Sequence, residues 1–258
     1  MDSQDELEYV GHATARIRLG GTTLLTDPAL GRRVGPLMRT VPPVATVPAP
    51  DAVLVSHMHR DHLDLRSLRS LDPSVPLFVP RGAGELARRS GAREVTEVEA
   101  GDRFAVGALT VDVFPARHDP RRGPSPRTPV ADPVGFVAAS PCRSVYFAGD
   151  TELFEGMREL GEIDVALLPI WGWGRSVGEG HLDPEMAAQA LRLIRPWTAV
   201  PIHWGTLAPP VLGRAWRRGR RRPAEEFVRR AADLAPDVVV SILEPGERLR
   251  LVRRMASR

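Results

Sequence analysis

The stretch Ser56-His57-Met58-His59-Arg60-Asp61-His62-Leu63-Asp64 follows at once on the apolar run 52–55. Four of the six residues from His57 to His62 are good ligands for a divalent metal. Spacing carries the chemistry. His57 and His59, two apart in an extended turn, point the same way and can pinch one ion. Asp61 and His62, placed at the start of a following helix, face a second position close by. The competing reading is a solvated histidine-rich turn, but the full four-ligand pattern arises too rarely by chance to favour it.

Outward from this stretch, three single residues fit the same plan, each just past a predicted strand. His118 follows 109–114, Asp150 follows 144–148 and His203 follows 199–202, while Gly149 permits a sharp turn before Asp150. Ligands at strand ends along one sheet edge are how layered folds build sites. Taken together they bring the ligand set to seven, which suits two metals sharing a carboxylate. Period-2 or continuous apolar patterning predicts further strands over 7–10, 14–19, 22–25, 76–79, 94–98, 103–106, 134–138, 165–168, 238–241 and 248–251. Gly20-Gly21 reads as a hairpin turn. Helices are expected over 63–71, 84–90, 184–194 and 224–235, with Asp183 as N-cap and Pro184 in the first turn of the third. The proline-rich segments 28–50 and 120–133 read as irregular. Strands cluster early and again late, each cluster followed by a helix, so the expected fold is a layered α/β (α+β) domain of two similar halves spanning 1–258.

Composition narrows the alternatives. A chain of 258 residues, 43% hydrophobic and 26% charged, can bury a sizeable core. The lone Cys142 excludes an intrachain disulfide framework and a cysteine-rich zinc module. No apolar run approaches the roughly 18–20 residues of a membrane span, and the acidic start 1–8 is unlike a secretory leader. A cytoplasmic location is therefore expected. Net charge is +3 with a pI of about 9.9, and the chain contains neither lysine nor asparagine. Both have A-rich codons, so base composition explains their absence better than an acidic partner does. The segment 214–222 holds six arginines and one tryptophan; a charged connector before the helix 224–235 is its simpler reading, a nucleic-acid or anionic-membrane contact the other.

His-x-His-x-Asp-His followed by a distant His, Asp and His resembles the metallo-β-lactamase fold superfamily. Gly11-His12-Ala13-Thr14, Leu25-Thr26-Asp27-Pro28, 56–64, 148–151, 181–187 and Ile202-His203-Trp204-Gly205-Thr206 are most similar to the branch that includes ascorbate-6-phosphate lactonase and N-acyl-phosphatidylethanolamine phospholipase D. The resemblance covers about 7–252. It implies a four-layer αββα sandwich with His57, His59 and His118 on one metal, Asp61, His62 and His203 on a second, and Asp150 bridging. The two divalent ions would be zinc in the first instance, with manganese or iron as alternatives. A hydroxide shared between them would cleave a phosphodiester, lactone or other ester of a small molecule or lipid. Asp61 and His181 are the catalytic candidates, His181 as general acid or oxyanion donor. His12 and Asp27 would orient metal-bound histidines, with a plain core hydrogen bond the other reading for His12. Trp171 and Trp173, in Trp171-Gly-Trp-Gly174, would clamp substrate, and Arg122, with Arg121 and Arg127, would meet an anion. A nuclease of the same fold needs an RNA-gripping arm that no segment supplies, so nucleic acid is not an expected partner. A non-catalytic metal-binding scaffold would show a degraded ligand set, and none of the seven positions is degraded. Homo-oligomerisation stays open.

Overall fold

Side-chain alternation builds the frame. The computed structural model describes residues 5–44, 47–123, 125, 128–172, 177–212 and 219–251. The first half opens with an antiparallel meander, β1 (Glu6–Gly11), β2 (Thr14–Leu19) and β3 (Thr22–Thr26). Gly20 and Gly21, at φ +54° and +85°, make its two-residue turn, a conformation open to glycine without steric cost. After two short strands, β4 (Arg33–Val34) and β5 (Leu37–Arg39), the chain adds β6 (Ala52–Leu54), β7 (Leu77–Pro80) and β8 (Val95–Val98) in parallel beside β3. Helices α1 (Leu65–Arg69) and α2 (Gly84–Arg88) lie in the crossovers.

The second half repeats the scheme. An antiparallel series β9 (Arg103–Val106), β10 (Leu109–Pro115), β11 (Val134–Ser140) and β12 (Arg143–Phe147) passes into parallel β13 (Val165–Pro169) and β14 (Thr198–Ile202). Beyond the small β15 (Leu207–Ala208), β16 (Val239–Val240) extends this sheet in parallel, and β17 (Arg248–Arg250) returns to the free edge of β1. Helices α3 (Pro184–Ile194) and α4 (Arg222–Leu234) cover its outer face.

Alternate residues of each strand face opposite layers. Leu7, Ile17, Leu24 and Leu54 of the first sheet meet Val111, Phe136, Phe147, Leu167 and Val200 of the second between the sheets. Their neighbours Tyr146, Ala166, Leu168 and Ala199 instead pack with Leu191 of α3 and Phe227 and Ala231 of α4. Leu25, Val53 and Val79 pack with Leu68 and Leu86 on the other outer face. The result is the expected αββα layering. Strand β13 is buried at all five positions because both its faces are covered. Each leucine or phenylalanine wholly withdrawn from water contributes about 1.5–3 kcal/mol. Helix α3 starts as expected, with Asp183 accepting from the Met186 N–H (2.7 Å) and Pro184 in the first turn.

Two expectations are corrected. The segment 28–50 is not wholly irregular: β4 and β5 form a hairpin, and β5 pairs with β15 in a separate three-stranded sheet. Strands of two or three residues are too short to show a period. Asp61 and His62 do not start a helix either. The helix begins at Leu65, where Asp64 caps it by accepting from Ser67 N–H (3.0 Å), leaving both candidate ligands in the preceding turn. Among the described residues no helix is long and apolar enough to cross a membrane.

Candidate metal centre

Strand ends from both sheets deliver the site. Asp27 follows β3, His57 follows β6, His118 follows β10, Asp150 follows β12 and His203 follows β14, while His12 occupies the turn from β1 to β2. All seven histidines of the chain lie here. Placing them strains the backbone. Four described non-glycine residues have positive φ, and three are His12 (+60°), Asp27 (+32°) and His203 (+62°). Such conformations persist only where surrounding contacts enforce them, and they cluster at functional sites. The backbone of His203 is tied directly to His12, whose carbonyl accepts from its N–H at 2.7 Å.

The ring tautomers follow from the outer nitrogens. His62 Nδ1–H donates to Asp27 Oδ2 (2.6 Å), His118 Nδ1–H to the Gly180 carbonyl (2.7 Å) and His203 Nδ1–H to the Trp171 carbonyl (2.6 Å). Ser56 Oγ–H donates to Asp27 Oδ2 (2.6 Å), so it accepts from His57 Nδ1–H (2.9 Å). Each of these four rings therefore turns a lone pair on Nε2 toward the centre. His59 presents Nδ1, which stands 3.0 Å from His118 Nε2, and His62 Nε2 stands 3.1 Å from His203 Nε2. Two nitrogens bound to one tetrahedral zinc at about 2.0–2.1 Å stand roughly 3.3 Å apart, so both pairs fit a shared cation.

Four overlapping groups of ligand atoms result, each with its members within 4.8 Å of one another: His57, His59 and His118; His12, Asp61, His62 and His203; Asp27, His57 and His62; and His118, Asp150 and His181. Asp150 Oδ2 faces His203 Nε2 (3.2 Å), His62 Nε2 (3.3 Å) and His181 Nε2 (3.5 Å). Its Oδ1 and His57 Nε2 are two of four buried side-chain atoms with no hydrogen-bond partner among the described residues, the others being Arg18 Nε and Tyr146 OH, away from the cluster's donor set. Orphaned buried polar atoms are costly and call for an explanation; a cation ligated by both supplies one. His12 belongs to the second group by distance, but its Nε2 stands 3.0 Å from Asp61 Oδ2 and holds that carboxylate, where the sequence pointed to a histidine as its partner.

Electrostatics agrees with a cation. Burial alone would raise the Asp150 carboxyl, yet His203 and His62 hold it well below the usual range. Burial opposes charge on His62, but Asp150 and Asp27 outweigh it and raise its pKa well above the ordinary histidine value, so Nε2 holds a proton unless a metal ion displaces it. Burial, reinforced by His203, pushes His12 down to about 3, so at neutral pH it is an uncharged donor to Asp61.

A cavity of about 430 Å³ opens on this cluster, lined by His59, Asp61, Asp150 and His181 on one side and by Val34, Pro36 and Leu37 of the β4–β5 hairpin on another. His181 is part-exposed, as His59 and His118 are, with its ring centroid 4.5 Å from that of His118. Arg122 lines the cavity but is occupied otherwise than expected: its guanidinium donates to the Met58 carbonyl (2.6 Å) and the Leu63 carbonyl (3.3 Å), bracing the metal-binding loop. Arg121 is turned to Asp119 (2.9 Å). Trp171 is half-buried and lines a different cavity, between α3 and α4, while Gly172 lines this one. Trp173 and Arg127 lie outside the described residues, as does 213–218 of the arginine-rich stretch. Arg220 and Arg221 pair with Glu244. Sequence reasoning missed Ser56 and the hairpin wall; a serine directly before the first ligand was the available signal for Ser56.

Residues 22–204 match the family described as the Beta-lactamase superfamily domain. The chain is 34% identical over 248 residues to a metal-dependent hydrolase of Methanopyrus kandleri, a match covering 93% of this chain and 97% of that one. It is 30% identical over 225 residues to N-acyl-phosphatidylethanolamine-hydrolyzing phospholipase D 1 of Caenorhabditis elegans, over 77% of this chain and 63% of that protein. A solved metallo hydrolase of Ignicoccus hospitalis superposes with a TM-score of 0.72 at 24% identity, covering 98% of this chain and 100% of the other, a likeness that speaks for the fold alone.

Proposed function

The chain belongs to the β-lactamase superfamily as a metal-dependent hydrolase, and from that premise we propose that it works with two divalent ions on a phosphodiester or on a lactone or other ester. His57, His59 and His118 would hold one ion, Asp61, His62 and His203 the other, and Asp150 both. One observation carries this reading: seven donor side chains converge, the outer nitrogens of His57, His62, His118 and His203 are already pinned, and two of the four buried side-chain atoms left without a hydrogen-bond partner among the described residues, His57 Nε2 and Asp150 Oδ1, belong to that set. Zinc suits the nitrogen-rich donors, with manganese or iron as alternatives. The chemistry such a pair would supply when bound is a water nucleophile at neutral pH and polarisation of the oxygen of the bond to be cut.

The protein's own side chains do the rest. Asp27 and Ser56 fix the tautomers of His62 and His57, and His12 keeps Asp61 oriented. His181 sits at the cavity with Nε2 toward Asp150 while Nδ1–H donates to the Glu179 carbonyl (3.0 Å). Although burial disfavours its charge, Asp150 raises its pKa above the ordinary histidine value, which suits a proton donor to the leaving group. The cavity admits a small molecule or one end of a lipid, and the C. elegans relative's name supports the phosphodiester arm.

The test is hydrolysis of bis(4-nitrophenyl) phosphate and of an aryl ester or lactone by zinc-loaded protein, with Asp150→Ala as control. At least one substrate class is expected to turn over, with a loss of roughly 10²-fold or more in the variant. Turnover that survives Asp150→Ala, or no turnover of any of these in protein carrying two metals, overturns the proposal.

A further inference from the structure

Two cations line the metal-facing cavity, and they are differently engaged. The Arg122 guanidinium is committed to the carbonyls of Met58 and Leu63. Arg60, between His59 and Asp61, is exposed and makes no hydrogen bond or ion pair with any described residue. Its stem is nevertheless held in place. A Cβ added at Gly35, in the β4–β5 turn at φ +52°, would stand 3.1 Å from Arg60 Cβ and 3.4 Å from its Cδ, so the hairpin packs against the aliphatic part of the side chain. The other described lining residues offer no spare partner: the only carboxylates, Asp61 and Asp150, are engaged with histidines, and Val34, Pro36, Leu37 and Val177 are apolar.

We propose that Arg60 reads a second anionic group of the substrate, a carboxylate or phosphate carried away from the bond that is cut, while the hairpin wall covers the apolar body between them. The assignment rests on the hydrolase reading above. A guanidinium offers a planar fork that matches an oxyanion through two parallel hydrogen bonds. An ion pair formed against the apolar hairpin would also be less screened than one on an open surface. Since Arg60 holds no partner among the described residues, a ligand is the partner its position serves.

Isothermal titration of zinc-loaded protein with three inert probes tests this: benzylphosphonate, 4-(phosphonomethyl)benzoate and p-xylylenediphosphonate. The added carboxylate or the added phosphonate, whichever is the preferred anion, is expected to tighten Kd about tenfold over benzylphosphonate. Arg60→Gln removes that gain, and Gly35→Ala, which pushes on the Arg60 stem, reduces it. The Kd ratio within each variant cancels any general effect on the metals. A gain with only one of the two identifies the anion. No gain in the wild-type protein, or a gain that persists in Arg60→Gln, overturns the assignment. If benzylphosphonate binds and Asp150→Ala abolishes its binding, the hydrolase reading stands on its own. If none of the three binds, both readings fall.

Discussion

Asp27 is placed to shape the proposed metal site through its neighbours. Its Oδ1 accepts from Ser56 N–H (2.7 Å), while Oδ2 accepts from Ser56 Oγ–H and His62 Nδ1–H, each at 2.6 Å. Asp27→Asn replaces one accepting oxygen by an NH2 group, which cannot accept from either neighbour. Competition with a chromophoric chelator is expected to show metal affinity lowered about 10–100-fold; unchanged affinity would remove Asp27 from the account. Protonation tests the histidines as a set. Burial holds His118 down at about 4 and His12 at about 3, and lowers His57 and His59 as well. A histidine with a depressed folded pKa contributes stability that is complete above the unfolded value near 6.5 and is lost as pH falls through the folded one. His62 and His181 are raised and act the other way, but they are two against four. Chelator-stripped protein is therefore expected to lose more than about 1.4 kcal/mol between pH 7 and pH 4, read by urea unfolding at each pH. Constant stability over that window would contradict the burial of these rings. The convergence of the candidate ligands was legible because their chemistry is written in residue type and spacing. The acceptors that orient His118 and His203 are the carbonyls of Gly180 and Trp171, and a backbone carbonyl leaves no mark in a sequence.

At the scale of elements, the turns after the strands set the geometry. Gly149 has φ +63°, and a Cβ there would lie 2.4 Å from Ser56 Cβ and 3.2 Å from the Val134 carbonyl. Ser56 cannot retreat, since its N–H and hydroxyl both hold Asp27. Gly149→Ala is thus expected to cost about 2 kcal/mol or more, a fall in Tm of roughly 4–8 °C, and to weaken metal binding through the displaced Asp150. A Tm within about 1 °C of the parent would show that the junction has slack. The long strands were legible since alternate residues enter different layers, as Tyr146 and Phe147 do. The β4–β5 hairpin was not. Its pairing with β15 joins residues far apart in sequence, and neither partner is long enough to show a period.

Across the whole molecule, each proposed ion would join the two halves. His57 and His59 come from the first half and His118 from the second; Asp61 and His62 come from the first and His203 from the second. Two sheets whose facing sides are apolar therefore meet at one edge in a polar cluster that cations would staple. The two-half architecture was legible in the order of strand clusters and helices. The return of β17 to β1 was not, because pairing the chain's two ends is a property of the assembled sheet. The most direct measurement is anomalous diffraction at the zinc edge from crystals of zinc-loaded protein. The expected result is two peaks per chain, one at bonding distance from His57, His59 and His118 and one from Asp61, His62 and His203, with Asp150 between them. A single peak, or none at this cluster, would contradict the account.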